Sequence, residues 1–151
     1  MRRSLESSLR RLQTDYVDIL FARDVEVGEP RVLLGECYES LLAMKREGLC
    51  RAIGMSALPL QVLRCAISTC ELDVIITYCH GTLNDDAILT ELLPLAHKRD
   101  VAVINASPTS MGLRTEVGPQ SGTRRANRSR RWHAPPPSPL PPAATRSRAP
   151  A

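Results

Sequence analysis

Four short segments rich in β-branched and aromatic residues recur along the chain, each led by a stretch with apolar side chains at helical spacing. They begin near residues 16, 51, 73 and 101, a repeat of about thirty residues. A strand and a helix alternating at that period form the βα unit of a parallel sheet with right-handed crossovers. The strand segments are nearly continuous apolar runs, as expected when both faces of a sheet are covered. The repeat therefore predicts an α/β fold.

The first helix is predicted from about Ser4, with Leu5, Leu9 and Leu12 inward and Glu6 near the positive end of the helix dipole. Gln13 and Thr14 end it, and residues 16–21 read as a strand. Gly28-Glu29-Pro30 is a break, and Pro30 suits a first helical turn, where its missing N–H costs nothing. Leu34, Cys37, Leu41 and Leu42 then form a stripe, with Gly48 just past the helix end as a C′ residue. Residues 52–56 are the second strand. Pro59 opens a helix with Val62, Leu63, Ala66 and Ile67 on one side. Residues 74–78 are the third strand. A polar turn, Asn84-Asp85-Asp86, starts a helix with Ile88, Leu89, Leu92 and Leu93 inward, which Pro94 kinks or divides. Lys98 and Arg99 close it before a fourth strand at 101–105.

Charge divides the chain in two. Residues 1–114 hold 13 basic and 15 acidic side chains, whereas 115–151 hold seven Arg and one Glu. Eight of the 12 prolines also lie after residue 114, and Val117, Trp132 and Leu140 are the sizeable apolar residues there. Such a segment cannot bury enough surface to offset its ordering entropy, so 115–151 is predicted to be a disordered Arg/Pro-rich tail. One aromatic, Trp132, is too little for a base-stacking platform, which argues against nucleic-acid function. The P-x-x-P matches at Pro136, Pro139 and Pro142 lack an adjacent Arg or Lys.

The five cysteines form no C-x-x-C pair and no zinc-binding spacing, so reduced, mostly buried thiols of a cytoplasmic protein are expected. Cys79 and His80 are adjacent; on a strand such neighbours face opposite ways, which disfavours a thiolate–imidazole dyad. Met1-Arg2-Arg3 is followed by no apolar stretch, and no apolar run reaches membrane-spanning length.

A complete (β/α)₈ barrel needs about 250 residues. Residues 1–114 hold roughly half of one, so the predicted fold is a partial (β/α)₈ barrel of about four βα units. No G-x-G-x-x-G or P-loop appears, which weakens a doubly wound nucleotide-binding alternative.

Three segments carry a resemblance. Ser8-Leu9-Arg10-Arg11-Leu12-Gln13-Thr14-Asp15-Tyr16-Val17-Asp18-Ile19-Leu20 resembles the helix and fourth barrel strand of the aldo-keto reductase family. Lys45-Arg46-Glu47-Gly48-Leu49-Cys50-Arg51-Ala52-Ile53-Gly54 resembles the stretch entering strand five. Asn105-Ala106-Ser107-Pro108-Thr109-Ser110-Met111-Gly112-Leu113 resembles the cofactor loop after strand seven. Leu58-Pro59-Leu60, Tyr78-Cys79-His80 and Met111-Gly112-Leu113 are most similar to the L-galactose dehydrogenase branch. The resemblance covers about residues 4–117.

It implies hydride transfer between NAD or NADP and the carbonyl or alcohol of a small sugar or aldehyde. By family pattern, Ser56 would face the nicotinamide carboxamide, with Ala57 in place of the usual Asn. Ser107, Pro108, Thr109 and Gly112 would lie along the pyrophosphate. The family's Asp, Tyr and Lys belong to earlier strands and have no counterpart here; the place of its His falls on Arg23. Arg is permanently protonated and only donates, so it cannot act as a neutral imidazole. Tyr78 falls near the C-terminal end of its strand, with no lysine at hand to ease its ionisation. The expectation is a truncated reductase, inactive in this form, with no catalytic residue assigned. A non-catalytic interaction protein, working through the half barrel or the tail, is the other reading, and open sheet edges would favour self-association.

Overall fold

In the computed structural model, residues 1–29, 32–112, 115, 116 and 118 are described. The predicted tail after residue 118, and Pro30, lie outside the described residues. Helix α1, Arg2–Leu12, begins two residues before Ser4. Leu5 and Leu9 are buried, but Leu12 is 64% exposed, contrary to expectation. It shares their stripe yet sits on the last turn, just before the left-handed Gln13 cap. Strand β1 is Val17–Ala22.

A π-helical turn, Leu33–Cys37, runs directly into α2, Tyr38–Arg46. Gly48 takes φ +78, where an L side chain is strained. Its N–H donates to the Lys45 carbonyl, and the Leu49 N–H to that of Met44, both at 3.0 Å. That is the Schellman arrangement, so the predicted C′ glycine is in place. Strand β2, Cys50–Ala57, leads to α3, Leu60–Thr69, for which Pro59 is the N-cap. All four residues expected inward on α3 are buried.

Strand β3, Val74–Tyr78, matches its predicted span. A second π-helical turn, Ile88–Leu92, runs directly into α4, Leu93–Lys98, with Pro94 in the first turn of α4. Ile88 and Leu92 are buried, whereas Leu89 is 58% exposed. The exposure of Leu89 and Leu93 departs from the expected four-residue stripe. Hydrogen bonding at i→i+5 widens the turn and carries both residues off the buried face. Strand β4 is Ala102–Ala106.

The four strands form one parallel sheet in the order β1-β2-β3-β4. Leu20 pairs with Ile53, Met55 with Ile75, and Ile75 with Val103. These rows, with Leu41, Met44, Leu63 and Leu92, form the core between sheet and helices. Each fully buried Leu or Ile contributes roughly 1.5–3 kcal/mol.

The alternate rows are less covered. Ile19 is 42% and Ile104 40% exposed, and neither packs on the core. Helices cover one face of the sheet, and the other is left partly uncovered, as an open half barrel requires. All five cysteines are free; Cys50 and Cys70 are buried, and Cys37, Cys65 and Cys79 are half-buried. Among the described residues, no helix is long and apolar enough to cross a membrane.

Candidate functional site

In a parallel βα fold the strands' C-terminal ends face one way, and the loops leaving them build the site. Here that rim carries Arg23 and Asp24 after β1, Ser56 near the end of β2, Cys79 and His80 after β3, and the 107–112 turn after β4. Ser56 is fully buried. Its Oγ accepts the backbone N–H of Asp24 at 3.3 Å, and Asp24 itself takes φ 53. The hydroxyl hydrogen remains able to donate to an acceptor. Arg23 is exposed.

Two residues past Ser56, the Leu58 peptide is gripped at both ends. Its N–H donates to Glu26 Oε1 at 3.2 Å. Its carbonyl lies 2.8 Å from His80 Nε2. The other ring nitrogen of His80, Nδ1, is 3.0 Å from Asp85 Oδ2. Asp85 Oδ1 accepts the Ala87 N–H at 3.0 Å. That bond, aided by His80 and opposed by partial burial, holds the Asp85 carboxyl below the usual carboxylate range. From β4, Asn105 Nδ2 donates to the Gly81 carbonyl at 2.6 Å. A Cβ on Gly81 would stand 2.7 Å from that same nitrogen. Each loop on the rim is thus tied to its neighbour by a side chain that bonds to backbone.

The strand geometry invoked against a Cys79–His80 dyad does not hold. The strand ends at Tyr78, and Cys79 takes φ 63, so strand alternation does not apply. The dyad fails for another reason: both ring nitrogens of His80 face Asp85 and Leu58. Tyr78 is half-buried beside Ala106 in the sheet register.

Ser107, Pro108, Thr109 and Gly112 all lie on one turn. Ser107, Ser110, Met111 and Gly112 have positive φ, and the Ser110 N–H closes on the Ser107 carbonyl at 3.0 Å. The Ser107 hydroxyl donates to Met111 Sδ at 3.0 Å. Ser56 stands in register with Ile76, and Ile76 with Ile104, so Ser56 and β4 are two strands, roughly 10 Å, apart. The turn holds hydroxyl and backbone N–H donors and no carboxylate, which fits a pyrophosphate. Ser56 has a hydroxyl hydrogen to give, but the side chain itself has no exposed surface.

Sequence reasoning missed Glu26 and Asp85 as rim residues; His80 and Asn105 stand in the quoted motifs, but not with the bonds they make to Leu58 and Gly81. In the sequence, Asp85 stands out only as a turn former. The one available signal is His80 five residues before Asp85, because that spacing lets a turn fold back on itself.

Comparison with known proteins places the geometry. The sequence profile of the Aldo/keto reductase family matches residues 1–140. The chain is 43% identical over 122 residues to an L-galactose dehydrogenase of Arabidopsis thaliana, covering 79% of this chain and 38% of that protein. It is 27% identical over 124 residues to a D-threo-aldose 1-dehydrogenase of Pseudomonas sp, covering 82% of this chain and 38% of that one. Among solved structures, an aldo-keto reductase from Bacillus halodurans in its holo form superposes with a TM-score of 0.61 at 27% identity, covering 74% of this chain and 35% of its own. The chain spans a little over a third of the length of these relatives. The parallel βα units, the rim they build and the matching profile agree: the chain belongs to the aldo/keto reductase family.

Proposed function

We propose that this chain carries the cofactor-facing rim of an NAD(P)-linked oxidoreductase that moves hydride to or from the carbonyl of a small sugar or aldehyde. Similarity to the L-galactose dehydrogenase and to the D-threo-aldose 1-dehydrogenase favours an aldose. The observation that carries the reading is the register that puts Ser56 and the 107–112 turn on one rim. Ser56 would hold the nicotinamide carboxamide, while Ser107, Pro108, Thr109 and Gly112 would line the pyrophosphate. When bound, the dinucleotide supplies the hydride. The protein's part is to bind and orient it. Working in the cytoplasm is consistent with five free thiols.

The 151 residues alone are proposed to lack turnover. Arg23 stands where the family has a His, and it donates without ever accepting a proton. Among the described residues, no tyrosine–lysine pair stands on the rim to supply a proton to a developing alkoxide. The test is titration with NADH and NADPH, followed by assay of aldose-dependent reduction of NAD(P)⁺. Binding without turnover is the expected result. Clear turnover overturns the inactive reading, and no binding of either dinucleotide overturns the cofactor reading.

A second reading is self-association. It is favoured by Ile19 and Ile104, exposed on the sheet face away from the helices, and by β1 and β4 as the outer strands. Sedimentation showing only a compact monomer would remove it.

A further inference from the structure

His80 reaches from the loop after β3 to the Leu58 carbonyl, two residues past Ser56. We propose that His80 is a positioning residue: held between Asp85 and the Leu58 carbonyl, its ring fixes the loop after β2 and so aims Ser56 at a nicotinamide. The proposal rests on the cofactor reading of this rim.

Hydrogen-bond chemistry sets the terms. The Leu58 carbonyl only accepts, so Nε2 must carry a hydrogen. Nδ1 faces a carboxylate, which when ionised also only accepts. The ring thus joins a backbone carbonyl on one loop to a carboxylate on another turn, one through each nitrogen. Glu26 takes the Leu58 N–H at the same time, so side chains from two loops fix one peptide plane. The second Glu26 oxygen, Oε2, is buried without a partner.

The base of this strut is rigid. The His80 carbonyl accepts the Ile88 N–H, and the Cys79 N–H donates to Ala106, both at 3.0 Å. Asn105 holds Gly81 from β4. The charged groups bearing on the ring are Asp85 on its own loop and Glu26 across the Leu58 peptide. The loop after β2 offers an uncharged carbonyl, and β4 an uncharged amide.

The experiment uses the full chain with four variants: H80F, H80Q, D85A and D85N. Readouts are amide exchange at Leu58 against Met55, and the dissociation constant for NADH and NADPH. H80F should speed Leu58 exchange about tenfold, the worth of one or two net hydrogen bonds, and weaken dinucleotide binding by a similar factor. Met55, in the covered sheet, should be unchanged. H80Q keeps a donor for the Leu58 carbonyl and should recover part of both effects. D85N should lie between the parent and D85A: its carbonyl still accepts the Ala87 N–H and its amide keeps a polar contact to the ring, but the carboxylate's charge is lost. D85A should behave as H80F.

Unchanged Leu58 exchange in H80F overturns the proposal, as does D85N failing as badly as D85A. If H80F unfolds the whole chain, the Asp85 pair and H80Q decide by the same criteria. A parent chain that binds no dinucleotide overturns the cofactor reading instead, and Leu58 exchange still decides whether the strut exists.

Discussion

Asp73 and Ile53 bond to each other twice. The Ile53 N–H donates to Asp73 Oδ2 at 2.9 Å, and the Asp73 N–H donates to the Ile53 carbonyl at 3.0 Å. Lys45 Nζ meets the same Oδ2 at 2.5 Å. One carboxylate thereby joins α2, β2 and the entry to β3 at the end of the sheet opposite the rim.

Replacing that carboxylate should be costly. Ile53 is fully buried, so in D73A its N–H loses a partner that water cannot readily replace, and Lys45 loses its counter-ion. The expected loss is about 2–3 kcal/mol, mostly the penalty of the unmade bonds. Urea unfolding of D73A against the parent measures it. A loss within about 0.5 kcal/mol, the range of ordinary surface changes, would mean the link contributes nothing to stability.

Gly81 and Asn105 should be energetically coupled. A Cβ at Gly81 would lie 2.7 Å from Asn105 Nδ2 and 2.8 Å from its Cγ. G81A is expected to destabilise by about 1–3 kcal/mol through overpacking. Truncating Asn105 frees that space, so N105A should cost less in the G81A background than in the parent. A double-mutant cycle reads the difference, and strict additivity would contradict the close packing.

Acid sensitivity should have a local component at Asp85. Its folded-state carboxyl is depressed, chiefly by the Ala87 N–H. A depressed carboxyl contributes stability above its unfolded value, near ~3.9, and loses it as pH falls through the lower folded value. D85A should therefore narrow the gap to the parent as pH is lowered through that window. Thermal melting from about pH 6 down to about 2 tests the sign. A gap that widens in acid would refute it.

Thiol reactivity should be graded by burial. Cys70 is buried, and its thiol is pushed up to about 11 despite the opposing Thr69 hydroxyl. At pH 7 about one Cys70 in 10⁴ is then thiolate, the reactive form. Iodoacetamide followed by peptide mass mapping should label half-buried Cys79 well before Cys70 in the folded chain. Equal rates would show that the core around Cys70 opens readily.

Much of the fold is legible in the residues because periodicity is a local property. The apolar run at Val74–Tyr78 sets the limits of β3, and Val62, Leu63, Ala66 and Ile67 mark the buried side of α3 without any knowledge of its packing. Gly48 announces its left-handed turn. Local pattern fails where local geometry changes: the π-helical turn at Ile88–Leu92 moves Leu89 and Leu93 out of the expected stripe. It fails again at Leu12, where the pattern continues but the packing does not.

The rim lies beyond such reasoning. Motif resemblance names Ser56, Ser107, Pro108, Thr109 and Gly112, yet neither the Asp24 bond to Ser56 nor the grip of His80 on Leu58 has a sequence signature. Asp24 and Ser56 are 32 positions apart, and His80 and Leu58 are 22. By itself, the sequence determined the alternation of strands and helices, because hydrophobic spacing selects each element within a window of a few residues. Which loops touch was decided by the parallel register of the sheet, which stacks the strand ends and brings distant polar groups within hydrogen-bond reach.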